Sequence, residues 1–186
     1  MSLDDVHSRR GERVRRPIPP LDSAALERLA LRYVERFSTT RARLADYLRR
    51  KIRERGWDGP AADPAAIAAH LAELGYVDDR AFGEARARAM ARRGLGRRRV
   101  DGALRHAGID ESDAAALAPA IAEQATQAAL TFARRKRIGP FAEQLADRPL
   151  REKQLAAMVR AGHDFALARS IVALAPGDDV AILIET

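Results

Sequence analysis

The chain has 186 residues, 47% of them hydrophobic and 32% charged, which is enough apolar surface for one ordinary domain or for several small units on a continuous core. It has no cysteine, which excludes disulfides, thiolate metal sites and cysteine nucleophiles and fits a reducing, cytoplasmic setting. With 33 Lys plus Arg against 26 Asp plus Glu the formal net charge is +7, a balance that suits an acidic partner such as nucleic acid and that Arg-rich, Ala-rich coding from a GC-rich genome also produces.

Residues 1–22 are polar and basic and close on "RPIPP", which cannot continue a helix. They read as an arm that either touches nucleic acid through Arg9, Arg10, Arg13, Arg15 and Arg16 or has no specific role. The arm has no apolar segment of the signal-peptide kind, and no apolar run in the chain is long enough to cross a bilayer.

From Asp22 the spacing becomes helical. Leu26, Leu29, Ala30 and Tyr33 mark one face, and Leu44, Leu48 and Ile52 mark a second helix that stops at Gly56. After the loop "WDGPAADP", Asp63 caps a helix with Pro64 in its first turn and Ile67, His70, Leu71 and Leu74 on its apolar face, ended by Gly75. Asp78 or Asp79 caps the next, whose predicted buried stripe is Phe82, Ala85, Ala89 and Met90 and whose stop is Gly94. Val100, Ala103, Leu104 and Ala107 define a helix over 97–107, stopped by Gly108. Asp110 opens a short helix with Leu117. Pro119 is expected to interrupt it and start a longer one through Ile121, Ala125, Ala128, Ala129 and Phe132. "IGP" at 138–140 breaks that helix, and residues 141–146 are expected to form a turn or more. A helix from about Pro149 carries Leu155, Met158 and Val159 to Gly162. Asp164 caps the last helix, with Leu167, Ala168, Ile171 and Leu174. "VAILI" in the tail is expected to pack as an extended strand.

The order repeats. A long helix, a shorter one, a glycine and a capped helix recur three times, pivoting on Gly56, Gly108 and Gly162. The expected fold is all-α, an elongated array of tandem three-helix, helix-turn-helix-like units that share a core. The boundaries read as an arm at 1–22, units at 23–76, 77–124 and 125–175, and a tail at 176–186.

No constellation for catalysis stands out. Gly94-Leu95-Gly96 lacks the third glycine and the preceding strand of a dinucleotide fingerprint, and no phosphate loop exists. His7, His70, His106 and His163 show no metal-ligand spacing. Asp78-Asp79 precedes an apolar-periodic run, as a helix cap does, and is not read as a catalytic acid pair. The chain is expected to be no enzyme and to hold no cofactor or metal.

The distinctive stretch is "ARRGLGRRRVDGALRHAGI", residues 91–109. Arg97, Arg98 and Arg99 occupy a helix first turn, where cations oppose the macrodipole, so a partner is the simpler reason for them. Arg92 and Arg93 end the previous helix, and Arg88 lies one turn before Arg92 on the same flank. Guanidiniums gathered at one turn can hold phosphates or carboxylates bidentately. A second run, Arg134, Arg135, Lys136 and Arg137, ends a long helix, where it either binds the same partner or complements the dipole. A helix-turn-helix reader of duplex sequence is less well supported, because Asp101, Arg105 and His106 are a poor base-reading set.

Those residues carry a resemblance. Gly75, Tyr76, Asp78, Asp79 and Phe82, then Arg92, Arg93, Gly94, Gly96, Arg98 and Arg99, then Gly108 and Ile109, resemble the central block of the RecX family of recombinase regulators. "TRARLADYLRRKIRERGW" resembles the family's first unit more loosely. Position 86 is Arg where members often carry an aromatic, and position 97 is Arg where Pro or Lys is frequent. The resemblance implies tandem three-helix units and a protein that binds the RecA recombinase; a monomer is a separate expectation. It implies a place along the groove of the RecA–single-stranded DNA filament and limitation of ATP hydrolysis, strand exchange and repressor cleavage in the SOS response. Direct contact with single- or double-stranded DNA through phosphates is a further expectation. A nonspecific nucleic-acid binder with no recombinase partner is the alternative.

Overall fold

The computed structural model describes residues 19–183. The arm's arginines at 9, 10, 13, 15 and 16, and His7, lie outside the described residues, as does the end of the tail.

Among the described residues there are nine α-helices and no strand. They are α1 (Ser23–Val34), α2 (Arg41–Arg55), α3 (Pro64–Glu73), α4 (Asp79–Arg92), α5 (Arg97–His106), α6 (Glu111–Glu123), α7 (Ala125–Lys136), α8 (Arg148–Arg160) and α9 (Phe165–Ala173). Asp22, Thr40, Asp63, Asp78, Asp110, Asp147 and Asp164 each precede a helix and accept a hydrogen bond from its first-turn N–H groups. The fold is an all-α array of three-helix units: α1–α3, α4–α6 and α7–α9. In each, the turn from the second helix to the third passes through a glycine at positive φ: Gly56 at 84°, Gly108 at 74° and Gly162 at 95°. A side chain would be strained there, which is why the glycine recurs.

The buried apolar residues gather into three clusters, one per unit. Leu26, Leu44, Leu48 and Leu71 centre the first, Val100, Leu104, Leu117 and Ile121 the second, and Leu130, Met158, Ala168 and Ile171 the third. Val77 is buried in the first cluster although the next residue caps α4.

Several expectations are corrected. α6 runs through Pro119, and the break comes at Gln124. The carbonyl that Pro119 leaves without a donor belongs to Ala115, and both residues face solvent, where water supplies the bond. The first helix of a unit is not regularly the long one, since α2 has 15 residues to the 12 of α1 and α8 has 13 to the 12 of α7. The turn expected at 141–146 is replaced by a 3₁₀ turn at Gly139–Phe141, largely within "IGP" itself, and residues 181–183 of "VAILI" form another 3₁₀ turn in place of a strand. Ala85 is exposed; α4 turns Gly83, Ala87 and Met90 inward. His70 and Leu74 are exposed as well, because no described residue packs over that flank of α3.

The first and second units meet at the N-terminus of α2. The Thr40 hydroxyl donates to the carbonyl of Ala107 at the end of α5. The Arg41 backbone N–H and Nε donate to the two oxygens of Asp79 at 2.8 and 3.1 Å, and its Nη2 donates to Asp110 at 3.0 Å with Asp113 at 3.6 Å. Asp79 is buried. The Asp113 N–H and the Ser112 hydroxyl, with help from Arg41, hold the Asp110 carboxyl below its ordinary range. Burial and the neighbouring Asp110 push that of Asp113 up.

Candidate partner-binding corner

The Gly94-Leu95-Gly96 turn is the joint between the second and third units. Gly94 has φ of 73°, and a methyl on it would come within 2.8 Å of the Phe132 backbone nitrogen in α7. A methyl on Gly96 would come within 2.3 Å of the Gly162 carbonyl carbon. Backbone therefore lies on backbone here. The Gly96 N–H donates to Ala161 O at 3.0 Å and the Arg98 N–H to Gly162 O at 3.1 Å. His163 is 2% exposed and sits between the two units. Its Nε2–H donates to the Gly94 carbonyl at 3.1 Å, and its ring lies 5.4 Å from that of Phe132. Burial lowers its pKa, so the neutral tautomer with a proton on Nε2 is the form that fits.

This joint gives the cations at the start of α5 a reason the sequence did not disclose. The C-terminal end of α8 abuts the N-terminal end of α5. The carbonyls of Arg160, Ala161 and Gly162 receive Arg99 Nε, the Gly96 N–H and the Arg98 N–H. Positive charge in the first turn of α5 thus faces the negative end of another helix. The Arg99 guanidinium, at 2.9 Å from Arg160 O, belongs to the joint whether or not a partner is present.

The ten predicted contact residues divide accordingly. All are exposed. Arg88 pairs with Glu84 on its own helix at 3.5 Å and stands apart from the turn. Arg97 faces Asp101 at 3.6 Å. Arg134 lies over the Phe141 ring at 4.8 Å, Arg135 donates to the Arg93 carbonyl at 2.8 Å, and Arg137 pairs with Glu143 at 2.6 Å. Among the described residues, no carboxylate pairs with Arg92, Arg93, Arg98 or Lys136. Two hollows hold three of these cations, Arg93, Arg98 and Lys136. One, of about 220 Å³, is lined by Arg93, Leu95, Phe132, Arg135 and Lys136, so it joins both basic runs across the two units. The other, of about 320 Å³, has Arg97 and Arg98 on one wall and Gly162, His163, Asp164 and Leu167 on the other. The sequence reasoning missed His163, Phe132 and Gly162, whose only signal was the glycine repeat. It also missed the Arg41–Asp79 pair, for which the doubled aspartate was the sole hint, one carboxylate being enough for a cap.

Among the described residues, no group of three or more His, Cys, Asp or Glu is placed to hold a metal ion, and no helix is long and apolar enough to cross a membrane. Residues 78–117, which include α4, α5 and the basic turn, match a family model described as "RecX, second three-helix domain". A relative from Myxococcus xanthus (strain DK1622), "Regulatory protein RecX", is 31% identical over 177 residues, covering 90% of this chain and 93% of the relative. The crystal structure of RecX from Lactobacillus salivarius superposes with a TM-score of 0.63 at 20% identity over 80% of this chain and 93% of that one. A second crystal structure, of a regulatory protein RecX, gives 0.57 at 23% identity over 80% and 72%. The two structures speak for the shared all-α repeat fold; the Myxococcus relative, by identity and coverage together, speaks for descent. The chain belongs to the RecX family of regulatory proteins.

Proposed function

We propose that the protein binds the RecA recombinase and its filament on single-stranded DNA, and that it restrains the filament's ATP hydrolysis, strand exchange and SOS co-protease activity. It acts by binding, with no catalytic site and no cofactor, as a cytoplasmic monomer. Family membership supports the regulatory role. The observation that carries the contact surface is the pair of hollows at the joint of the second and third units, one lined by Arg93, Arg135 and Lys136 and the other by Arg97 and Arg98 beside the helix-capping Asp164; among the described residues no carboxylate pairs with Arg93, Arg98 or Lys136. Side chains left without acids at a close-packed joint are preorganised for phosphates or for carboxylates on an acidic protein face. Arg97, Arg134, Arg135 and Arg137 extend the same basic edge while also holding neighbours within the chain.

The test is single-stranded-DNA-dependent ATP hydrolysis by RecA with this protein at well below one per RecA and with DNA in excess. Inhibition under those conditions is expected. No inhibition, together with tight binding to bare DNA, moves the assignment to the second reading: a nonspecific nucleic-acid binder. The net charge of +7 favours that alternative. It predicts a log affinity for bare DNA that falls steeply with log salt.

A further inference from the structure

The first unit carries a feature that the basic corner does not explain. The chain is poor in aromatics, with five Phe, three Tyr and one Trp, yet three of them line up where α1 meets α2. Tyr33 stacks on Tyr47 with ring centroids 4.2 Å apart and meets Phe37 at 5.2 Å. Cations stand at both ends of the row. Arg36 lies over the Phe37 ring at 5.7 Å, and Arg50 and Lys51 lie over the Tyr47 ring at 5.6 and 5.8 Å.

Local sequence builds the row. The chain keeps turning past the end of α1, since the Arg36 and Phe37 N–H groups donate to the Tyr33 carbonyl. Tyr33, Arg36 and Phe37 therefore share one face at i, i+3 and i+4, and Tyr47, Arg50 and Lys51 share another on α2. Packing accounts for two of the rings only. Tyr33 and Tyr47 are half-buried against the first core, whereas Phe37 joins none of the three core clusters and is 52% exposed. The row is net positive. Among the described residues a single carboxylate, Glu54, serves both Arg50 and Lys51, at 3.7 and 2.6 Å, and none pairs with Arg36. Glu35 comes two residues after Tyr33 and so falls off the shared face.

These properties select an occupant. Flat rings bounded by cations match a ligand that alternates flat faces with negative charges, as a single nucleic-acid strand does. A duplex keeps its base faces inside its own stack and meets only the cations.

We propose that the aromatic row between α1 and α2 is a contact for single-stranded DNA, separate from the basic corner. One unpaired base lies on Phe37, and Arg36 on one side and Arg50 and Lys51 on the other hold the phosphates that flank it. The choice of DNA over RNA rests on the filament reading above; the contact with an unpaired strand rests on the row itself and needs no RecA.

The experiment measures fluorescence anisotropy of labelled oligothymidylate, oligouridylate and a DNA duplex with the wild type, Phe37→Ala, Phe37→Trp and Arg36→Gln. Phe37 lies outside the core clusters, so helicity by circular dichroism is expected to hold. Phe37→Ala is expected to lower affinity for oligothymidylate about fivefold or more. Duplex affinity and the salt dependence of binding are expected to stay unchanged, because no charge is removed. Arg36→Gln is expected to make the slope of log affinity against log salt shallower by about 0.7 for the single strand. Phe37→Trp is expected to keep wild-type affinity, with its added indole fluorescence quenched by oligothymidylate; that readout settles the matter should Phe37→Ala misfold. Single-strand binding that ignores Phe37→Ala, an equal loss on the duplex, or an unquenched indole overturns the contact. So does a wild type with no affinity for oligothymidylate. Tighter binding of oligouridylate reassigns the row to RNA and overturns the DNA contact. Uninhibited RecA ATP hydrolysis alongside intact oligothymidylate binding is a different outcome: it sinks the RecA reading, while the comparison of strands still decides this contact.

Discussion

The two joints of this molecule solve one problem with different chemistry. The joint between the first and second units is made of side chains: a hydroxyl on a carbonyl and one guanidinium among three carboxylates. The joint between the second and third is made of main chain, with glycines bringing Gly96 onto Gly162 and a neutral histidine closing the seam. A charge-built joint answers to salt. A backbone-built joint ignores salt and tolerates no added methyl. The exposed, unpaired arginines collect at the second kind, where the scaffold beneath them is rigid.

The largest expected effect is on the backbone joint. Gly96→Ala leaves an unstrained φ of −79° but drives a methyl into the Gly162 carbonyl, and neither backbone segment can step aside. A loss of about 3 kcal/mol or more in urea unfolding is expected, concentrated in the second and third units. Loss confined to a few tenths would show that the joint yields, and the contrast between joints would fail.

Arg41→Ala comes next. It leaves the buried Asp79 with no charged partner, and about 2 kcal/mol of destabilisation is expected. Added salt is expected to lower the melting temperature of the wild type more than that of this variant, since the variant has already lost the screened contact.

Acid separates the joints without mutation. Protonating His163 is harder in the folded chain than in the unfolded one. Its contribution is therefore intact above the ordinary histidine value of 6.5 and declines as the pH falls below it. Asp110 is also held below its ordinary value, so its contribution holds above 3.8 and is lost only as the pH falls through its depressed folded value. Backbone resonances of Gly94 and Gly96 are expected to respond as the pH falls below 6.5, before those of Arg41 and Thr40 move. Simultaneous movement would merge the two joints into one.

The smallest stability effects belong to single arginines. Arg99→Ala loses one bond to Arg160 O, for about 0.5–1 kcal/mol. Arg98→Ala is expected to stay within about 0.5 kcal/mol of wild type while weakening inhibition of RecA ATP hydrolysis. Removing Arg97, Arg98 and Arg99 together therefore changes stability as well as binding, and only Arg98 is a clean probe.

What was legible in the sequence was local. Each capping aspartate stands beside the N–H groups it serves, and each stop glycine sits at the turn it permits, so the helix order and the threefold repeat could be read directly. What was not legible depends on residues far along the chain. Asp79 looks like half of a cap until Arg41, 38 positions earlier, is seen across from it. The cations of α5 look unfavourable until the end of α8 is placed against them. Leu74 follows the apolar period of α3 and yet lies open, because periodicity records a face without saying what covers it. Pro119 misleads for the opposite reason, since its cost falls on a solvent-facing carbonyl.

The burial of Val77 has one more consequence. Leu74, Gly75 and Tyr76 are exposed, and the next residue plugs the first core from the side of the second unit. A protease that cuts after Tyr76 therefore leaves the C-terminal fragment with its own plug, Val77, still seated in the N-terminal one. The Arg41–Asp79 pair spans the cut and holds the two pieces as a complementing pair, which separates as ionic strength rises.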